Sequence, residues 1–466
     1  MSIRSVVILA ILALPLPVIA KPVHVWETTV DKTRLLAAQP DVKFRKGEAS
    51  GTVIHVDPAQ TYQTMVGFGA SMTDASAWLI EHKLTQSQRD ALMKDLYGPA
   101  PGLGLSFMRL TIGASDFSQV DYSYDDLPKG ETDPDLAHFS IDPAKADVIP
   151  AVKQALALNP KLTVMASPWS GPGWMKTSDS LVTGSLKPEA YPYFAAYLSR
   201  YLTAMKAEGV PVSLLTLQNE PGFEPDSYPG MRVEPESRAA FIGGFLGPKL
   251  AADNPGTQIL DYDHNWDLPS SPLTVLGDAK ANPYVAGVAW HCYGGDVAAQ
   301  GPVHEAYPAK DAYFTECSGG EWAADFAGSF DWFVKNLIIG STRNWSKGVL
   351  LWNLALDENH GPHLGGCSDC RGVVTIDSKT GEVTRNLEYY ALAHASRFVK
   401  PGAVRIASDS GVDGIDSVAF RNTDGSMALI VLNENTAVAN FAVAVNGKSF
   451  SYSLPGGAVA TFVWRP

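Results

Sequence analysis

Residues 162–167 read LTVMAS and residues 213–218 read SLLTLQ, with a helix-like stretch over 188–208 between them. Both short runs are apolar on both faces, which suits a strand covered on each side by helices rather than a strand with one wet face. A buried strand, a helix and a second buried strand make one βαβ unit, and the same grammar repeats on either side. Runs bounded by turn residues occur at 66–74, 107–113, 162–167, 213–220, 258–264, 285–293, 312–316 and 348–355. Helix-like stretches lie at 74–97, 143–157, 188–208, 235–252 and 326–339, whereas the spacers after the fifth and sixth runs are short. Eight such alternations over about 330 residues predict an α/β fold, a (β/α)8 TIM barrel spanning 65–400. An open doubly wound sheet is the competing architecture; the count of eight and the lack of a phosphate loop favour the barrel.

The ends of the chain read differently. Residues 401–466 alternate strand-like runs such as MALIVLNEN and AVATFVW with turns at Thr423-Asp424-Gly425 and Pro455-Gly456-Gly457, without a helical period. They predict a β-sandwich, to which the strand-like pieces in 21–64 contribute. Residues 1–20, MSIRSVVILAILALPLPVIA, carry one early arginine, an apolar run of about nine and a small-residue end after two prolines. This is the pattern of a secretory signal peptide, and the run is far short of the roughly 20 residues a membrane span needs. The expected location is periplasmic or extracellular, with no transmembrane segment in the mature protein.

Hydrophobic residues make up 45% of the 466-residue chain and charged residues 18%, enough apolar side chain for a large core. Acids outnumber bases 49 to 36, giving a formal charge of −13. A surface of that sign repels phosphate backbones, which excludes nucleic acid as a partner and points to a neutral or cationic substrate. Cys367 and Cys370 form a C-x-x-C just after His360 and His363. That set could hold zinc or stay reduced, but in an export compartment a Cys367–Cys370 disulfide is the expected state.

A barrel enzyme carries its chemistry at the C-terminal ends of its strands. The fourth run ends in Gln218-Asn219-Glu220-Pro221 and the seventh in Thr315-Glu316-Cys317. The first ends in Asp74, the third in Ser167-Pro168-Trp169, the sixth in His291-Cys292-Tyr293 and the eighth in Trp352-Asn353. Two glutamates from separate strands facing one cavity are what glycoside hydrolysis requires: one to protonate the leaving oxygen, the other for the anomeric carbon. Mutual repulsion would divide such a pair into one protonated and one ionised member. The nearby Trp169, Trp174, Trp290, Tyr293 and Trp352 offer flat faces to a sugar ring. No G-x-S-x-G, H-E-x-x-H or P-loop motif competes.

The segments MVGFGASMTDASAWL, MRLTIGASDFS, VMASPWSGPGWMKT, LTLQNEP, WHCYGG, YFTECSGGEW and LLWNLALDENHGP resemble, in order, glycoside hydrolase family 30, and most closely its glucosylceramidase-like branch. The resemblance implies a retaining β-glycosidase acting on a neutral β-glycoside, a glycolipid or a glucan, without metal or organic cofactor. It assigns Glu220 as acid/base and Glu316 as nucleophile, and Asn219 to the sugar 2-hydroxyl. It places Asp74, Trp169 and Trp352 around the glucose, with His291 and Tyr293 beside the nucleophile. The expected substrate is glucosylceramide; the alternatives are an endo-β-1,6-glucanase or a β-xylosidase on the same scaffold. A glycan-binding protein without catalysis would have lost one of the two glutamates. The loop HGPHLGGCSDCRG (360–372) departs from the branch. Cys292 and Cys317 end neighbouring strands, where a spacing of about 4.8 Å permits a disulfide or a pair of buried thiols.

Overall fold

The computed structural model describes residues 22–47 and 49–466; the expected signal peptide lies outside the described residues. Eight parallel strands close into a barrel. They are β1 (Gly67–Ser71), β2 (Phe107–Ile112), β3 (Thr163–Pro168), β4 (Leu214–Thr216), β5 (Gln258–Asn265), β6 (Val285–His291), β7 (Asp311–Glu316) and β8 (Ser346–Asn353). β8 pairs with β1 to complete the ring. All eight expected runs are present, and two helices that the short spacers left unassigned, Ser270–Gly277 and Gln300–Ala306, follow β5 and β6. The first run is shorter than expected. β1 stops at Ser71, and Asp74 opens the helix Asp74–His82, capped by the Thr73 side chain on the Ser76 N–H.

The barrel interior shows how the strand period positions the chemistry. One apolar layer consists of Phe107, Met165, Leu214, Leu260, Ala289, Tyr313 and Leu350, all buried, one from each of β2 to β8. Side chains two residues on point the same way. On five of those strands that step replaces an apolar residue by a polar one: Arg109, Ser167, Thr216, His291 and Thr315, each buried. The sixth, Trp352, is also buried. β5 breaks the period. Its pairing with β6 slips between Tyr262 and His264, and Tyr262 and Asp263 both have positive φ, 79° and 50°. Such a bulge re-aims a side chain, and here it is the carboxylate of Asp263 that turns inward. A second slip, between β6 and β7, falls where Trp290 faces Phe314 and His291 faces Glu316. It lets Thr315 and Glu316 both reach the interior.

A ten-stranded sheet is assembled from both ends of the chain. Pro22–Thr28 pairs with Val459–Trp464, and Thr52–Thr64 lies between Val404–Ser408 and Ala439–Val445. Its own apolar core includes Val25, Ile54, Leu429, Phe441 and Phe462. His394, on the helix Leu387–Ser396 of the barrel side, joins the two parts: one ring nitrogen meets Thr461 Oγ1 and the other Thr28 Oγ1, each at 2.8 Å. No helix among the described residues is long and apolar enough to cross a membrane.

Candidate active site

Arg109 on β2 is fully buried and organises the floor of the cavity. It donates to Glu316 Oε2, to Asn219 Oδ1 at 2.7 Å and to Asp263 Oδ2 at 2.8 Å. Its guanidinium also lies over Trp169 and Trp352, 4.8 and 5.5 Å from their ring centres. A buried guanidinium is tolerable only when it is paired in this way. Two carboxylates and an amide are thereby fixed relative to one another before any substrate arrives.

Asp263 is the anchor beneath them. It accepts from Arg109, from Ser167 Oγ at 2.8 Å, from Thr216 Oγ1 and Thr315 Oγ1 at 2.7 Å, and faces His291 Nε2 at 3.0 Å. Burial favours the neutral acid, but the Arg109 charge and the hydrogen bonds of His291 and Thr315 hold its carboxyl far below the usual range.

His291 bridges this anchor to the two glutamates. Its Nδ1 lies 3.1 Å from Glu220 Oε1 and 4.0 Å from Glu316 Oε1. Those two distances share one atom, so the carboxylate oxygens are at most about 7 Å apart. Burial lowers an imidazole, but Glu316 and the hydrogen bonds to Asp263 and Glu220 overcome it and raise His291 to about 9. Glu220 is likewise pushed up by burial, yet the imidazoles of His264 and His291 facing it bring it down to about 2. The two shifts run in opposite senses, His291 towards its protonated form and Glu220 towards its ionised form, because each supports the charge of the other.

Glu220 itself lies four residues past the end of β4, in a left-handed backbone conformation (φ 46°) with its N–H on the Asp263 carbonyl at 3.0 Å. A non-glycine residue there costs on the order of 1–3 kcal/mol and is kept only where the surroundings impose it. Tyr293 donates its hydroxyl to Glu316 Oε1 at 2.9 Å. Trp169 and Trp352 stack at 4.9 Å and 17° to form one wall, with Phe117 behind them.

Of the expected residues, Glu220, Glu316, Asn219, His291, Tyr293, Trp169 and Trp352 converge on this cavity. Asp74 does not. Opening a helix beyond β1, its carboxylate accepts from Ser118 Oγ at 2.6 Å and Tyr122 Oη at 3.0 Å, and lines a separate cavity of about 280 Å³ with Trp78 and Asp147. Burial raises it to about 6. The acid that stands near the pair is Asp116, from the loop after β2, which is raised well above its ordinary value by burial and by the charges of Glu316 and Glu220. Its dipeptide Asp116-Phe117 lies in the quoted MRLTIGASDFS, so the signal was available. Arg109 is in the same segment. Asp263 and His264 lie within the fifth run, 258–264, and only the bulge reveals that Asp263 turns inward.

Both cysteine pairs are disulfides, Cys292–Cys317 and Cys367–Cys370, and so are not zinc ligands. The departing loop packs on the site. Cys370-Arg371 pairs with Gly319-Gly320, three residues past Glu316, and Cys370 packs with Trp169 and Trp352. Gly366, at φ 65°, passes so close to Asp116 that an added Cβ would lie 2.5 Å from the Asp116 Cβ.

Residues 65–399 match the glycosyl hydrolase family 30 TIM-barrel domain, and residues 402–462 match the family 30 beta sandwich domain. The chain belongs to glycoside hydrolase family 30. It is a glycoside hydrolase, and its relatives differ in what they are described as cleaving. The chain is 37% identical over 434 residues to the endo-1,6-beta-D-glucanase neg1 of Aspergillus fumigatus, covering 86% of this chain and 85% of that protein. The solved structure of an endo-beta1,6-glucanase superposes with a TM-score of 0.88 at 34% identity, covering 95% of this chain and 99% of that one. The lysosomal acid glucosylceramidase of Mus musculus is 28% identical over 446 residues, covering 89% and 84% respectively.

Proposed function

We propose that this family 30 enzyme is an exported, retaining endo-β-1,6-glucanase, with Glu316 as nucleophile and Glu220 as acid/base. The observation that supports the mechanism is the shared contact of His291 Nδ1 with both glutamates, which caps the distance between their Oε1 atoms at about 7 Å, a bound that admits the retaining spacing and removes most of the inverting range. Retention needs roughly 5–5.5 Å, whereas inversion needs about 6.5–9.5 Å to admit a water. The preference for β-1,6-glucan over glucosylceramide, the substrate the sequence first suggests, is supported by the higher identity to the glucanases than to the mouse glucosylceramidase. Two disulfides and a neutral substrate fit an extracellular setting.

The chemistry follows from the contacts. Glu316, held by Arg109 and Tyr293, attacks the anomeric carbon as the bond to the leaving oxygen breaks. The attack consumes the charge on Glu316, the foremost charge supporting the His291 proton. That proton passes across 3.1 Å to Glu220 and on to the leaving oxygen. In the second step Glu220 and His291 take a proton from water, which displaces Glu316 with the original configuration restored. Asn219 is fixed through its Oδ1 by Arg109, so its amide N–H2 is free to hold the sugar 2-hydroxyl. Asp116 and the Trp169–Trp352 wall hold the remaining hydroxyls and the ring.

The test is a side-by-side assay on β-1,6-glucan, glucosylceramide, an aryl β-glucoside and an aryl β-xyloside. The proposal expects β-1,6-glucan to give the highest kcat/KM, with oligosaccharides as early products. Faster cleavage of glucosylceramide, or glucose alone from the first turnover, refutes it.

A further inference from the structure

His264 has no part in the scheme above, yet its Nδ1 is buried, lacks a hydrogen-bond partner and lies 3.6 Å from Glu220 Oε1. Two imidazoles thus converge on one carboxylate oxygen, His291 Nδ1 at 3.1 Å and His264 Nδ1 at 3.6 Å. The three ligand-type atoms all lie within 4.8 Å of one another, and no other group of three such donors occurs among the described residues. The remaining histidine–carboxylate contacts, such as His55–Asp409 and His82–Asp147, have only two members.

We propose that Glu220, His264 and His291 form a binding site for a borderline divalent transition metal, zinc foremost, and that its occupation switches the enzyme off. The set, two histidines and one glutamate, is a ligand combination that zinc accepts. With metal–ligand distances of about 2.0–2.1 Å, ligands around a tetrahedral ion are roughly 3.4 Å apart. The two edges that include Glu220, 3.1 and 3.6 Å, already bracket that value. The third edge, between the two imidazole nitrogens, lies within 4.8 Å. Outer support is in place too. His291 Nε2 faces the Asp263 carboxylate at 3.0 Å, the carboxylate–histidine arrangement that orients imidazole ligands and raises their basicity. Zinc would supply the partner that His264 Nδ1 lacks. It would also occupy the Glu220 oxygen and the His291 nitrogen between which the proton has to move, so hydrolysis stops without displacement of the nucleophile. No free cysteine exists among the described residues, so zinc inhibition cannot run through a thiol.

The experiment titrates the EDTA-treated chain with ZnCl2 by calorimetry and, in parallel, with CoCl2 by visible absorption. The expected result is one equivalent bound, four-coordinate cobalt bands, and loss of hydrolysis that EDTA reverses. His264→Gln and His264→Ala, checked for folding by circular dichroism, should each weaken zinc binding at least tenfold. Unchanged zinc affinity in either folded variant, or no binding to the wild-type chain, overturns the proposal. In the wild-type chain, zinc and a glucose-configured iminosugar should exclude each other; simultaneous binding would also overturn it. The binding arms do not depend on the catalytic roles assigned above, so a failure there is separable from a failure of the proposed function.

Discussion

Changing Asp263 to Asn keeps the size of the side chain and removes its charge. Asp263 serves five donors, three through Oδ2 (Arg109, Ser167, Thr216) and two through Oδ1 (His291, Thr315). An amide turns one of those ends into a donor. Whichever way it is placed, an N–H then faces either Arg109 with two hydroxyls or His291 with one. Removing one partner of a buried ion pair costs about 3–5 kcal/mol. At roughly 2 °C per kcal/mol for a large domain, the melting temperature should fall by about 6–10 °C. The effect on turnover is separate. Asp263 helps hold the His291 proton, and His291 stands at about 9 rather than 6.5. A histidine whose pKa is raised in the folded state contributes stability that is full below pH 6.5 and lost as the pH rises through about 9. Without Asp263 that window contracts from its upper end, and the alkaline limb of the kcat profile moves to lower pH. With the proton less well held, kcat should drop about 10²–10³-fold, or about 3–4 kcal/mol at 1.36 kcal/mol per decade. Calorimetric melting and a kcat profile from pH 5 to 10 check both parts. An unchanged alkaline limb together with a kcat within threefold of wild type would refute the reasoning about His291.

Glu220→Ala should lose turnover on poor leaving groups, regain it with azide on an activated aryl β-glucoside, and yield the β-glycosyl azide by NMR. Asp116→Asn should raise KM and lower kcat on β-1,6-glucan by at least tenfold, whereas Asp74→Asn, outside the cavity, should leave both within about threefold; steady-state kinetics on the two variants decides between the positions. Burial brings the His394 imidazole from 6.5 to about 3. The neutral ring is what the fold accepts, so stability is intact above pH 6.5 and falls as the pH drops towards 3, by roughly 1.4 kcal/mol per unit. His394→Gln should flatten that acid-side decline in urea titrations at pH 4 to 7.

The barrel was legible because its strands are buried on both faces and therefore read as apolar runs, and because their polar ends stand out against them. Glu220, Glu316, His291, Trp169 and Trp352 are visible for that reason. What hid Asp263 is the bulge in β5: a period of two along Gln258–Asn265 points Tyr262 inward, and nothing in the residue types announces the slip. Arg109 was hidden differently, as one cation inside an apolar run that reads as a buried strand. Asp74 was misplaced because the apolar run 66–74 outlasts the strand. Backbone pairing ends at Ser71, and a capped helix turns the carboxylate away towards Tyr122. The pairing of two imidazoles with Glu220 was equally beyond reach, since His291 and His264 meet it from different strands.

The central claim is that Glu316 forms the covalent intermediate. A 2-deoxy-2-fluoro-β-glucosyl fluoride should inactivate the enzyme in a time-dependent manner. Peptide mass spectrometry should then find a single fluoroglucosyl group on Glu316, and turnover should resume as the label is released. Inactivation with the label on any other residue, or NMR showing an α-configured first product, would contradict the account.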